Sequence, residues 1–262
     1  MSSARLLGPK SLARTYHAHA YEDAWEIVED YQRVLEYTGR HPNAGSQRVA
    51  KALDLPRARV RPWVDDGAIP HPVRAIQTAE TRGWLPLEES AETFDPLNRL
   101  VAWVCSSGTI KPDTFSVHLL IRTDADRNRA DAIVAALDLE YANEHDENAR
   151  TTELRIRDDG AVLGRLCWLL GAPLDDETTD DIPSYLNDVS NDARLAFART
   201  YLENRGEYWS FTDRWILEHR NRSDYYRRGL ATFYRTLGAD ADVHEDAISI
   251  DNEFARELLD SR

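Results

Sequence analysis

The sequence predicts an α+β protein. An all-helical N-terminal domain over residues 1–84 precedes a domain over 95–262 built from a duplicated αββαββα unit with pseudo-twofold symmetry. Three observations predict it. Residues 21–84 carry apolar side chains at helical spacing. Beyond an acidic, Pro-containing linker at 85–94, alternating strand patterns appear between helical ones. The order helix, strands, helix, strand, helix then occurs twice, at about 95–173 and 182–262, as an internal duplication would leave it.

The elements follow in order. Tyr21 to Tyr37 is one amphipathic helix, with Tyr21, Ala24, Trp25, Val28, Tyr31, Val34 and Leu35 on its buried face and Gly39 expected as its C-cap. A short helix starts near Ser46 and stops at Asp54-Leu55-Pro56. A second runs from about Pro56 to Val64, with Pro62 an awkward member, and a further helix spans Val73 to Trp84. Pro96 to Ser106 is apolar and helical. Phe115, Val117, Leu119 and Ile121 alternate as a strand, and Asp124 is expected to cap a helix through Leu137. Thr151 to Arg157 alternates again, and Gly160 to Leu170 is an apolar helix. Leu174 to Asp181 is an acidic loop. A helix from about Asp192 to Asn204, a strand region from Tyr208 to Arg222, a helix from Asp224 to Leu237, a strand Ala247 to Ile250 and a helix Asn252 to Leu259 complete the chain.

Composition bounds the function. A 42% hydrophobic chain of 262 residues with 7 Trp, 11 Tyr and 6 Phe fills a packed core and excludes wholesale disorder. No apolar run has bilayer length and Met1 to Lys10 lacks a signal segment, so a cytoplasmic location and no membrane partner are expected. Cys105 and Cys167 lie inside apolar helical patterns and read as buried small hydrophobes, too few for a disulfide framework or a zinc site. The eight His residues show no ligand spacing, so no metal and no cofactor is assigned. Net charge is −14, and Lys occurs only at 10, 51 and 111, leaving 29 Arg. Acidity with Arg in place of Lys suits a salt-loving organism, and a GC-rich genome also favours Arg, so local charge says more than the total.

Locally the balance reverses. Ser46 to Val64 has the helix, turn, helix order of a helix-turn-helix. Between Gly39 and Val64 six basic residues, Arg40, Arg48, Lys51, Arg57, Arg59 and Arg61, stand against Asp54 alone. Arg57 and Arg61 are four apart and share a helix face, with Arg59 to one side. Guanidinium forks of this kind suit guanine edges and phosphates, so Arg48, Lys51, Arg57, Arg59 and Arg61 are candidate contacts to double-stranded DNA. A helical bundle with a solvated basic face is the plain alternative. A second basic cluster, Arg214, His219, Arg220 and Arg222 with Arg227 and Arg228, accompanies Tyr208, Trp209, Phe211 and Trp215. Aromatics among arginines suit nucleic acid, and Arg214, Arg220 and Arg222 are candidate contacts. Trp209, Phe211 and Trp215 suit the core face of a strand equally well.

Each repeat opens with a helix ending in small or polar residues and Gly: Leu100-Val101-Ala102-Trp103-Val104-Cys105-Ser106-Ser107-Gly108, and Ala198-Arg199-Thr200-Tyr201-Leu202-Glu203-Asn204-Arg205-Gly206 after Ile182-Pro183-Ser184-Tyr185-Leu186. These segments resemble the paired helices of LAGLIDADG homing endonucleases. That resemblance implies two helices packed at a pseudo-twofold axis and a saddle-shaped sheet facing the DNA major groove. It also implies a carboxylate before each terminal Gly to hold divalent metal. Here those positions are Ser107 and Arg205, which are poor metal ligands, so the resemblance implies a catalytically inactive relative. Glu203, two residues earlier on its helix, is expected to point elsewhere. A helix-turn-helix joined to such a domain is similar, in reversed order, to the sporulation regulators of the WhiA type. It implies a DNA-binding transcription regulator, with the second domain extending the footprint or holding a protein partner. The rivals are an active endonuclease using Glu203 and a protein-interaction or ligand-sensing module that does not bind DNA.

Overall fold

A computed structural model describes residues 5–18, 21–145, 152–175, 181–219 and 222–260. The chain divides into two compact units, Leu7–Pro86 and Leu87–Arg262, with Met1–Leu6 counted in the second. Among the described residues no helix is long and apolar enough to cross a membrane.

The first unit holds five helices among its described residues: α1 (Pro9–Ala13), α2 (Ala24–Arg40), α3 (Ser46–Leu53), α4 (Arg57–Val64) and α5 (His71–Thr81). Asp23 starts α2 by accepting from the Trp25 N–H at 3.0 Å. The helix does not stop at Gly39 as the sequence suggests. It continues to Arg40 and ends at His41, whose ring stacks on Tyr37 with centroids 4.4 Å apart. Gly39 weakens a helix by about 1 kcal/mol relative to Ala, which the buried stripe of Ile27, Val28, Tyr31 and Val34 offsets.

Between α3 and α4 Asp54 turns the chain in the left-handed region, at φ 56°, and the Leu55 N–H donates to the Ala50 carbonyl at 3.0 Å. Pro62 sits inside α4, where it cannot donate to the Ala58 carbonyl, and Ala58 is exposed, so that carbonyl is open to solvent rather than buried without a donor. Val34, Ala44, Val49, Ala50 and Val60 form the core beneath, closed by Tyr37, Leu53, Leu55, Trp63 and Val64. Residues 85–94 are not an open linker. Leu87 is fully buried, and Leu87–Glu88 (β2) pairs with Arg5–Leu7 (β1) in a two-stranded sheet.

The second unit reads α6 (Phe94–Ser107), β3 (Gly108–Ile110), β4 (Val117–Ile121), α7 (Asp124–Ala136), β5 (Tyr141–His145), β6 (Thr152–Ile156) and α8 (Gly160–Leu169). A short 3-10 turn at Ser184–Asn187 follows, and then α9 (Asn191–Arg205), β7 (Gly206–Trp209), β8 (Arg214–Glu218), α10 (Asp224–Thr236), β9 (Ala241–Val243), β10 (Ala247–Asp251) and α11 (Asn252–Asp260). Two four-stranded sheets result, in the orders β3-β4-β6-β5 and β7-β8-β10-β9, with antiparallel pairing throughout.

Register sets which side chains face the helices. Leu119 pairs with Leu154, Leu217 with Ile248 and Trp215 with Ile250, so one face of each sheet is apolar. Five strands escaped the sequence reading, β1, β2, β3, β5 and β9. Each lies at a sheet edge with one neighbour, so its alternation is weak. Phe115 is not in the strand: it stands before β4 with φ 54°, and its ring lies under the Arg165 guanidinium at 3.9 Å. Thr123, not Asp124, caps α7, accepting from the Asp126 N–H in a capping box.

The unit is organised on α6 and α9. Of the 14 residues of α6, 12 are buried, so the helix is enclosed on all sides rather than amphipathic. The pair runs parallel and in register. Near the N-terminal end the buried Asn98 Nδ2 donates to Ala193 O at 2.8 Å, and near the C-terminal end Asn204 Nδ2 donates to Ser106 Oγ at 3.0 Å. Tyr185 Oη donates to Asn98 Oδ1 at 2.5 Å, which satisfies the amide on both sides. Both helices pass directly into strands. A Cβ at Gly108 would stand 2.8 Å from His118 O, and one at Gly206 2.7 Å from Leu202 O, so close approach demands glycine at both. Cys105 and Cys167 are buried free thiols, and burial pushes Cys105 up to about 12.

Candidate functional site

In the first unit α3 and α4 bring Arg48, Lys51 and Arg57 around one shallow surface hollow, with Ser46 and Asp65 on its rim. Arg48, Lys51, Arg57 and Arg61 are all exposed. Asp65 moderates the patch. Its carboxylate accepts from the Ser46 hydroxyl at 2.7 Å and from the Ser46 N–H at 3.3 Å, capping α3 from the far end of α4. The Ser46 hydroxyl chiefly, and then Arg57 and Arg61, hold Asp65 below the usual carboxylate range. A charge window closed at Val64 misses Asp65 and Asp66; including them lowers the balance from six basic against one acidic to six against three.

Arg59 stands apart. Its guanidinium lies over the Tyr21 ring at 4.0 Å, among Glu22, Glu26, Glu29 and Asp30. It is therefore occupied on the scaffold side and drops out as a base-reading candidate. Tyr21 itself is pushed up to about 12, by burial first and then by its hydrogen bond to Asp30.

In the second unit the C-terminal ends of α6 and α9 open onto a cavity of about 270 Å³. Its polar lining includes Ser106, Ser107, Thr109, His118, Arg122, Glu153, Arg205 and Arg222. The arginines bind the two helix ends crosswise. Arg122, from the segment after β4, donates from Nη1 to Asn204 O at 2.8 Å and from Nη2 to Ser107 Oγ at 3.0 Å. Arg205, the last residue of α9, donates from Nε to Ser106 O at 2.6 Å. Cations at helix C-termini sit where the helix dipole is negative, so both contacts are favourable.

The sequence reading missed Arg122. The signal was available: Arg122 precedes Thr123, the N-cap of α7, as Arg222 precedes Ser223, the N-cap of α10. Burial first, and then the neighbouring Arg205, lower the pKa of Arg122. Burial followed by Arg205, Arg222 and Arg227 brings His219 down to about 3, so this ring is neutral and adds no positive charge.

The residues at the two helix ends do not fit a divalent cation. Ser107 is engaged by Arg122, and Arg205 places a guanidinium where a second carboxylate would be needed. Glu203 faces away, between Arg129 at 3.4 Å and Arg199 at 3.3 Å. On the outer face of the first sheet His118 Nδ1 lies 3.2 Å from Glu153 and 3.8 Å from Glu144, a cross-strand cluster invisible to sequence spacing. Arg155 Nε lies 2.7 Å from the same Glu144 and neutralises part of it.

The outer faces of both sheets are acidic. By register, Glu144, Glu153, Glu207, Glu218, Asp242 and Asp251 face outward with only Arg155 and Arg214 opposing them. Arg214 is spent within its sheet, on Ser249 Oγ at 2.9 Å, Asp240 at 3.3 Å and Asp242 at 3.1 Å. Arg220 lies outside the described residues. Arg222 reaches the cavity rather than the sheet face. Phe211 is 79% exposed at the β7–β8 turn, so it is not a core residue, whereas Trp215 faces the helices and donates to Asn252.

No family model and no curated protein matches this chain. Among solved structures, I-DmoI in complex with DNA and Mn is 11% identical, covering 65% of this chain and 99% of its own, with a TM-score of 0.45. The N-terminal LAGLIDADG domain of DUF199/WhiA is 6% identical over 69% and 90%, with a TM-score of 0.44. The homing endonuclease I-WcaI bound to its DNA recognition sequence is 11% identical over 63% and 79%, at 0.42. Likenesses this low specify neither activity nor ligand.

Proposed function

We propose that this chain is a sequence-specific binder of double-stranded DNA and a transcription regulator. In this reading its first unit is a helix-turn-helix, and its second is a duplicated LAGLIDADG-type unit that does not cut. The observation that carries the reading is the convergence of Arg48, Lys51 and Arg57 on one exposed hollow of two short helices joined by a three-residue turn, with Arg61 also exposed on the second helix, in a chain of net charge −14. The loss of nuclease chemistry is supported by Ser107 and Arg205 at the helix ends and by the ion-paired Glu203.

The test is selection of fragmented genomic DNA by the purified chain in Mg²⁺ over a range of salt. Recovery of intact fragments sharing one short site is expected. Discrete cleavage products would establish an endonuclease instead. A second reading draws on the acidic outer faces of the sheets, which favour a basic protein partner over a DNA backbone. Retention of no DNA at any salt would put that reading first.

A further inference from the structure

We infer that the cavity at the ends of α6 and α9 is an oxyanion site that takes a single phosphate group. Three guanidiniums, Arg122, Arg205 and Arg222, line one space of about 270 Å³. Among the described residues neither Arg122 nor Arg205 forms an ion pair with a carboxylate, and the helix-end contacts use only part of their donor capacity. Arg205 gives Nε to Ser106 O and keeps both Nη groups for a ligand. The hydroxyl-bearing Ser107 and Thr109 stand on the same wall. Glu153 is the one acid in the lining, and His118 Nδ1 lies 3.2 Å from its carboxylate.

The electrostatics run the same way. Arg205 disfavours the charge on Arg122, and Arg205 and Arg222 both act against a proton on His219. Like charges gathered beside a partly desolvated wall are relieved when an anion enters, because each attraction then acts at low effective dielectric. The surrounding outer faces are acidic, so the cavity is an isolated positive spot that focuses anions onto itself. Its size, at the small end for ligand pockets, suits a compact oxyanion rather than a large organic molecule. Planar guanidiniums match the geometry of phosphate oxygens and offer paired donors to them.

The inference does not need the DNA reading, because a free phosphate and a backbone phosphate share this chemistry. Its test is a titration of the full chain with inorganic phosphate, followed by calorimetry and by ³¹P line shape. One saturable site is expected. R205Q and R222Q should each weaken it about tenfold or more, the order expected for one charge-assisted contact. R205K keeps the charge but not the paired donors, so its affinity should fall between those of wild type and R205Q, and R155Q, on the sheet face, should behave as wild type. R222Q leaves the helix-end contacts of Arg122 and Arg205 in place but removes the guanidinium over Tyr226, so urea unfolding of both variants separates loss of the site from loss of the fold. Absence of a saturable site, or wild-type affinity in both R205Q and R222Q, overturns the inference. With binding in place, competition by duplex DNA assigns the site to a backbone phosphate, and lack of competition assigns it to a free anion.

Discussion

Neutralising Arg57 and Arg61 together should change the salt dependence of DNA binding by a calculable amount. Four exposed cations, Arg48, Lys51, Arg57 and Arg61, belong to the α3–α4 surface. If each neutralises one phosphate, log K falls with log salt at a slope of about −3.6, at about 0.9 per contact. A fourfold rise in salt then weakens binding about 150-fold. R57Q/R61Q should show a slope of about −1.8, so the same rise costs about 12-fold. Fluorescence anisotropy of a labelled duplex carrying the selected site, measured from low to high salt, reads the slope directly. R59Q is the internal control: its guanidinium is over Tyr21, so the slope should stay at the wild-type value. An unchanged slope in R57Q/R61Q refutes the assignment of these residues to phosphates. A slope lowered equally by R59Q refutes the placement of Arg59.

Other expectations concern the frame that holds the cavity. N98A leaves the buried Tyr185 hydroxyl without its acceptor, a cost of about 1–3 kcal/mol; in the cycle with Y185F the double variant should be less destabilised than the sum by at least about 1 kcal/mol, read from urea unfolding, and additivity within about 0.5 kcal/mol counts against the contact. G164A should destabilise by about 1–3 kcal/mol or more, because its Cβ would meet Phe115 O at 1.9 Å and backbone must move; a thermal midpoint equal to wild type disproves that approach. His219, depressed to about 3 in the fold against an ordinary 6.5, takes up its proton only in the unfolded chain between those values. Its contribution is therefore present above about pH 6.5 and is lost as pH falls, at up to about 1.4 kcal/mol per pH unit, and H219Q should flatten stability against pH over that window.

The parts of the fold written in local chemistry were legible. Thr123, Ser190 and Ser223 cap helices, each hydroxyl satisfying a backbone N–H three residues on, and the sequence reading placed those starts within one or two residues, at Asp124, Asp192 and Asp224. Leu119, Ile121, Leu154 and Ile156 announce strands because one face of each is buried. Edge strands carry a weaker signal, so Tyr141–His145 and Ala241–Val243 were not seen. Phe115 imitates a strand residue by spacing alone; only the bend over α8 gives it a left-handed backbone.

The site divides in the same way. The basic surface of α3 and α4 follows from helical spacing, yet Arg59 and Asp65 find their roles only when Tyr21 and Ser46 are brought to them across the unit. Ser107 and Arg205 are found by their place before glycine. Arg122 needs the comparison of two caps a hundred residues apart. The inertness of Arg214 needs the sheet, because Asp240, Asp242 and Ser249 come from neighbouring positions on β9, β10 and the turn before them.

The crosswise tie at the helix ends has a stereochemical consequence. Arg122 and Arg222 occupy matching places in the two halves, but Arg205 faces Ser107 as its counterpart, so the cavity has two like arms and one odd one. A phosphodiester is prochiral at phosphorus. Seated in such a cavity, its two non-bridging oxygens meet unlike donors, and the Rp and Sp phosphorothioates of one linkage should bind unequally. A strand held there would be held with its polarity fixed, whatever the symmetry of the sequence around it.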